Sequence, residues 1–187
     1  YQVHVQSYGW MEWKQNGTAA GTSGKAKRLE AIRIRLTGEM ANKFDVYYRV
    51  HAQSYGWLDW AKNGEGAGTQ GKAKRLEAIK IQLTGADKDK YNVYYRVHAQ
   101  SYGWLAWAAN GAPAGTAGLS KRLEAIQIVI VKKGESFNHA IGNIQSARGE
   151  AYIASSTANA NPVVAGENNV NVEYRTHVQS FGWQGWK

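Results

Sequence analysis

The sequence predicts an all-β domain with pseudo-threefold closure, of β-trefoil or β-prism type, built from repeats of about 47 residues. Three observations carry this. The eight Trp fall in four Trp-x-x-Trp pairs, namely Trp10 and Trp13, Trp57 and Trp60, Trp104 and Trp107, and Trp183 and Trp186; the first three pairs are 47 residues apart. Within each unit polarity alternates with period two, the signature of a strand. A lone unit of that size buries too little surface to fold by itself, so the copies must share a core.

In the first unit Val3, Val5, Met11 and Trp13 share one parity, against His4, Gln6, Tyr8, Trp10 and Glu12. The second unit repeats the split. Tyr48, Val50, Ala52, Ser54, Gly56, Leu58 and Trp60 face one way, and Arg49, His51, Gln53, Tyr55, Trp57 and Asp59 the other. Asn16-Gly17, Asn63-Gly64 and Asn110-Gly111 predict turns, since both residue types tolerate positive φ. A Gly-rich stretch then leads to a second strand, Leu29 to Leu36, with Ile32, Ile34 and Leu36 inward and Ala31, Arg33 and Arg35 outward; its copies are Leu76 to Leu83 and Leu123 to Ile130. The linkers at 37–45 and 84–92 are short, polar and Gly-containing, and a helical period shows only weakly, in residues 139 to 155.

From Trp104 to Trp183 is 79 residues, 32 more than the repeat, so an insert parts the third copy from a fourth. The predicted organisation is repeats at 1–46, 47–93 and 94–131, an insert or linker at 132–171 with a short strand at Ala151 to Ala154, and the start of a truncated fourth repeat at 172–187. With no basic and apolar leader ahead of Tyr1 and a stop in mid-repeat, the chain reads as a mature or excised fragment.

Charged residues are 20% and apolar ones 43%, a globular balance. The absence of Cys excludes disulfides, zinc ribbons and thiol catalysis. Apolar runs such as Ile128 to Val131 are far too short to span a bilayer as a helix. The net charge of +9, with Lys25, Lys27 and Arg28 recurring as Lys72, Lys74 and Arg75 and as Lys121 and Arg122, raises nucleic acid as a partner. No RNA- or DNA-binding signature accompanies it, and solvated loop faces or a polyanionic glycan are the better readings.

Parity makes Trp13, Trp60 and Trp107 core residues and leaves Trp10, Trp57 and Trp104, with Tyr8, Tyr55 and Tyr102, as aromatic platforms for a sugar ring. His51, Gln53, Glu12 and Asp59 stand beside them to hydrogen-bond hydroxyls. A bulge at Gly9, Gly56 or Gly103 would instead turn the platform Trp inward. Arg28 and Glu30, Arg75 and Glu77, and Arg122 and Glu124 are ion pairs that fasten the Gly-rich loop, or a ligand clamp. His4 and Ser7 lie on opposite faces and recur in every copy with no unique carboxylate, so no catalytic residue is expected. The repeat His are too far apart for zinc, and Lys88 and Lys90 neutralise Asp87 and Asp89, so no metal and no cofactor are expected either.

The recurring text from His4, Gln6, Ser7, Tyr8 and Gly9 through Gly21-Thr22 to Arg28-Leu29-Glu30-Ala31-Ile32 resembles the clostridial hydrophobic repeat with a tryptophan, the ChW repeat. Val46 to Ile79, Val93 to Ile128 and the shorter first copy carry the resemblance, which covers everything except about 132–171. It implies a secreted or cell-surface protein of a Gram-positive anaerobe that adheres to polysaccharide or protein and has no enzymatic activity. The expected function is therefore non-catalytic, multivalent recognition of carbohydrate or host glycoprotein. The alternative is a structural protein whose dangling half-repeat pairs with other copies to build a surface fibre or layer.

Overall fold

A computed structural model describes residues 1–137 and 149–155, together with the backbone of two strands at 177–178 and 182–183. The first repeat holds β1 (Gln2–Val5), β2 (Gly9–Trp10), β3 (Ala20–Gly21) and β4 (Leu29–Arg33). A short helix α1 (Glu39–Lys43) links it to β5 (Asp45–Ala52), β6 (Gly56–Trp57), β7 (Ala61–Lys62), β8 (Ala67–Gly68) and β9 (Leu76–Thr84). A 3-10 turn at Lys88–Lys90 leads to β10 (Tyr91–Ala99), β11 (Gly103–Trp104), β12 (Ala108–Ala109), β13 (Ala114–Ala117) and β14 (Leu123–Lys132). From the insert comes β15 (Tyr152–Ala154), and the fourth copy supplies β16 (His177–Val178) and β17 (Gly182–Trp183). The linkers, expected as loops, thus each hold a helical turn, and the weakly helical stretch ends in a strand at Tyr152–Ala154, as expected for that segment; residues 138–148 lie outside the described residues.

Each repeat is a long antiparallel hairpin plus a short Ala-Gly strand, and the short strand is given away. β8 of the second repeat lies on β4 of the first, β13 of the third on β9 of the second, and β3 of the first on β14 of the third. The exchange is cyclic, while each sheet remains open.

Small residues make the exchange feasible. A Cβ on Gly21, Gly68 or Gly115 would come within 2.3, 2.3 or 2.4 Å of the carbonyl oxygen of Glu124, Glu30 or Glu77, and φ at these glycines is 120°, 134° and 124°. Only glycine meets both demands.

The Asn-Gly turns have positive φ at both residues, as the sequence predicts. They too reach across repeats, the N–H of Gly17, Gly64 and Gly111 donating to the carbonyls of Ile128, Ile34 and Ile81 at 2.9, 2.7 and 2.7 Å. One core draws Val3, Val5, Tyr48, Val50, Tyr95, Val97, Leu29, Leu76 and Leu123 from all three repeats. Within it the Tyr1, Tyr48 and Tyr95 hydroxyls donate to the carbonyls of Thr18, Glu65 and Ala112, as buried phenols require a partner.

The single strand read through Tyr48 to Trp60 is in fact a hairpin. Ser54 (φ 69°) and Gly56 (φ 71°) reverse the chain, so that His51 pairs with Trp57 and Ala52 with Gly56. Further along, Tyr48 pairs with Ala61. The residue numbers of the paired partners add up to one more there than at His51 and Trp57, so one extra residue is accommodated at Asp59 and Trp60. That bulge overturns the core assignment of the second Trp in the first three pairs: Trp13 and Trp60 are both 39% exposed, and Trp107 is half-buried.

Candidate functional site: a polar cleft between the second and third repeats

The long hairpins carry a second irregularity. Pairing runs His51 to Ala78 and then Ala52 to Leu76, which leaves Glu77 unpaired in the ladder. The bulge brings the buried Glu77 carboxylate to His51, whose Nδ1 lies 3.1 Å from Oε2; the contact is an ion pair when the imidazole is protonated, though it is not aligned as a hydrogen bond. Arg75 Nε donates to Oε1 at 2.8 Å.

The other copies agree. His4 and Arg28 hold Glu30 at 3.2 and 2.7 Å, and His98 and Arg122 hold Glu124 at 3.2 and 2.8 Å. The Gly24 N–H of the first repeat also donates to Glu124 Oε2 at 3.2 Å, so the carboxylate fastens the neighbouring Gly-rich loop. The ion-pair reading of the Arg and Glu residues is what the structure contains, with a histidine added.

Above Glu77 opens a cleft of about 470 Å³ lined by His51, Gln53, Ser54, Arg75 and Glu77 of the second repeat and by Gly118 and Ser120 of the third. Burial pushes the Glu77 carboxyl up, but the contacts with His51 and Arg75 outweigh it and hold the group below its usual range. At the third copy burial lowers the His98 imidazole, with Glu124 opposing, and the net is below the usual value. Burial, then the Glu77 charge, raises the Tyr152 phenol.

The rim is basic and aromatic. Lys74 Nζ donates to Ser54 Oγ at 3.3 Å, repeated by Lys27 on Ser7 and Lys121 on Ser101. Tyr55 is 49% exposed with Lys72 Nζ 5.5 Å from its ring centre, and Tyr8 is 52% exposed beneath Lys25. Tyr102 is half-buried and packs on the core.

The sugar-platform Trp are half-buried. Trp10, Trp57 and Trp104 meet His4, His51 and His98 edge-on at 5.5, 5.6 and 5.6 Å. The Arg49 guanidinium lies over both Trp57 and Trp60, at 5.3 and 5.0 Å, and Arg96 over Trp104 and Trp107, both at 4.9 Å. In the first repeat, where Gln2 replaces that arginine, Arg33 and Arg35 cover Trp10 and Trp13. The Trp-x-x-Trp spacing thus encloses a cation.

Of the other sequence-predicted residues, His51 and Gln53 line the cleft. Asp59 is exposed and does not line it, and Glu12 is exposed beside Lys14. Arg75, Glu77, Ser54, Gly118 and Ser120 complete the site. The signal for the first two was the recurrent Arg-Leu-Glu; for the loop there was none, because it comes from the next repeat.

The Clostridial hydrophobic W (ChW) family model matches residues 4–38, 51–85 and 98–132, together more than half of the chain. The chain belongs to the ChW family. No curated protein and no solved structure matches it. Each ChW segment opens on the histidine of one His-Arg-Glu cluster and contains that cluster's Arg and Glu, and the segment 51–85 supplies every lining residue of the cleft apart from Gly118 and Ser120. Among the described residues of this ChW chain, no helix is long and apolar enough to cross a membrane.

Proposed function

We propose that this ChW chain is a non-catalytic, cell-surface or secreted binding module that holds carbohydrate or host glycoprotein at its repeated junction clefts, on a pseudo-threefold scaffold. The observation that carries the reading is the cleft itself, where an imidazole, an amide, a hydroxyl, a guanidinium and a carboxylate converge in one concavity, with the exposed Tyr55 next in sequence to its lining residue Ser54. Such a set offers donors and acceptors to adjacent hydroxyls while the phenol ring stacks on an apolar sugar face. Each cleft is shallow and binds weakly, and three on one scaffold gain by effective concentration.

A glycan array with the intact chain tests it. Saturable binding is expected, stronger for polymeric than for single sugars, and the Tyr8→Ala, Tyr55→Ala, Tyr102→Ala triple variant, folded by circular dichroism, is expected to lose retention. Retention unchanged in that variant contradicts the reading. The assembly alternative draws support from the fourth copy, whose His177 to Trp183 pairing repeats the hairpin register of the others. Concentration-dependent polymers on a sizing column, without sugar binding, would favour it.

A further inference from the structure

The three exchanged strands are equivalent by sequence, yet their outer edges differ. Among the described residues β3 and β8 are the last strands of their sheets, whereas β13 carries β15 on its outer edge. That pairing is parallel, with Gly115 opposite Tyr152, Thr116 opposite Ile153 and Ala117 opposite Ala154. Gly115 N–H donates to the Ala151 carbonyl at 2.9 Å, Ser155 N–H to the Ala117 carbonyl at 3.0 Å, and Ala106 N–H to the Glu150 carbonyl at 3.0 Å. The insert therefore shows what this edge accepts: an extended segment of small, aromatic, aliphatic and small residues in succession.

The residues 94 positions earlier in the first repeat are Gly21 for Gly115, Ser23 for Ala117 and Glu12 for Ala106. In β3 the Gly21 N–H points away from β14, because its neighbour Thr22 donates inward to the Glu124 carbonyl at 2.8 Å. Ser23 is as compact as Ala117 in the occupied copy. The second repeat differs, since Gln70 stands there and its side chain accepts a bond from Trp10 Nε1 at 3.1 Å. That contact ties the Gln70 side chain to Trp10 of the first repeat, so the second copy differs from the other two at this position.

We propose that the outer edge of β3 and of Thr22 and Ser23, which follow it, is a docking site for an extended peptide segment of a partner protein, which adds as a parallel strand in the manner of β15. Backbone pairing supplies the affinity, as in other strand-addition sites. Glu12, exposed at the position equivalent to Ala106, supplies the preference: the incoming segment carries a basic residue at the position of Glu150. β8, which carries Gln70 where the first repeat has Ser23, stays unoccupied.

The probe is a synthetic heptapeptide of residues 149–155, Gly-Glu-Ala-Tyr-Ile-Ala-Ser, and its Lys form in which Lys replaces the Glu. Each is titrated into the full chain, and amide hydrogen exchange is followed by NMR at Gly21, Gly68 and Gly115. The expected result is saturable binding that slows Gly21 exchange and leaves Gly68 unchanged. The Lys peptide is expected to bind about threefold tighter than the Glu peptide at low salt, a preference that high salt removes. Ser23→Gln installs the residue that the second repeat already tolerates, so folding is retained, and is expected to weaken binding about tenfold or more; Gln70→Ser is expected to add protection at Gly68. No change at Gly21 in millimolar peptide, equal binding to Ser23→Gln, or loss of Gly115 protection without change at Gly21 would overturn the proposal.

Discussion

Gly21, Gly68 and Gly115 are the positions where one atom decides whether neighbouring repeats can meet. Gly21→Ala forces a Cβ to 2.3 Å from a main-chain oxygen at a φ of 120°. The expected loss is on the order of 3 kcal/mol or more, measured by urea denaturation; Gly9→Ala, where nothing lies within 4 Å of the new Cβ, is expected to cost about 1 kcal/mol from its positive φ alone. The tryptophans rank differently from what parity suggests. Trp57 is half-buried against His51, Arg49 and Lys80, whereas Trp60 is 39% exposed. Trp57→Ala is expected to destabilise by about 2–3 kcal/mol and Trp60→Ala by about 1 kcal/mol. A larger loss of melting temperature for Trp60→Ala would return that ring to the core.

At the scale of the element, bulges decide what lies beside what. Glu77 faces His51 and Arg75 only because it is the unpaired residue of its ladder. Glu77→Ala leaves the Arg75 guanidinium and the His51 imidazole without their carboxylate and is expected to cost about 3 kcal/mol. Acid acts on the same contacts. The folded Glu77 value is depressed, so its contribution is present above the unfolded carboxylate value of about 4.3 and is lost as pH falls through the folded one. His98 is also lowered, and here the unfolded chain takes up the proton first; stability therefore falls as pH drops below about 6.5 and levels off below the folded value. Thermal melts from pH 8 to pH 3 should show both phases, and His98→Asn should flatten the upper one while leaving the lower in place. An upper phase unchanged in His98→Asn would assign it elsewhere. Much at this scale was legible in the sequence. Asn63-Gly64 announces its turn, Ile32 and Ile34 their inward face, and Arg75 and Glu77 their pairing, because each signal is local. The exposure of Trp60 and the contact of His51 with Glu77 were not legible, because period-two counting holds only until an extra residue enters the ladder, and neither bulge leaves a mark in polarity.

For the whole molecule, the 47-residue period made a shared core legible through Val3, Val50 and Val97, but not which repeat receives which strand. That choice rests on Gly21 meeting Glu124 a hundred residues away, and no pattern along the chain encodes it. The account predicts that backbones of residues 1–36, 48–83 and 95–130 superpose by successive rotations of about 120°. A string of repeats with no contact between the first and the third would contradict it. Cyclic exchange also ties the junctions together, since the cleft of the second repeat is closed by Gly118 and Ser120 of the third, and Glu124 of the third accepts from Gly24 of the first. The most direct test is an NMR measurement on the intact chain at the contact between first and third repeats. Gly21 and Ala125 are paired across β3 and β14, and Thr22 N–H is bonded to Glu124. The account predicts a cross-strand Overhauser contact between residues 21 and 125 and a slowly exchanging Thr22 amide. A folded chain with neither would contradict the cyclic arrangement and, with it, the fastening of the first repeat's loop on Glu124.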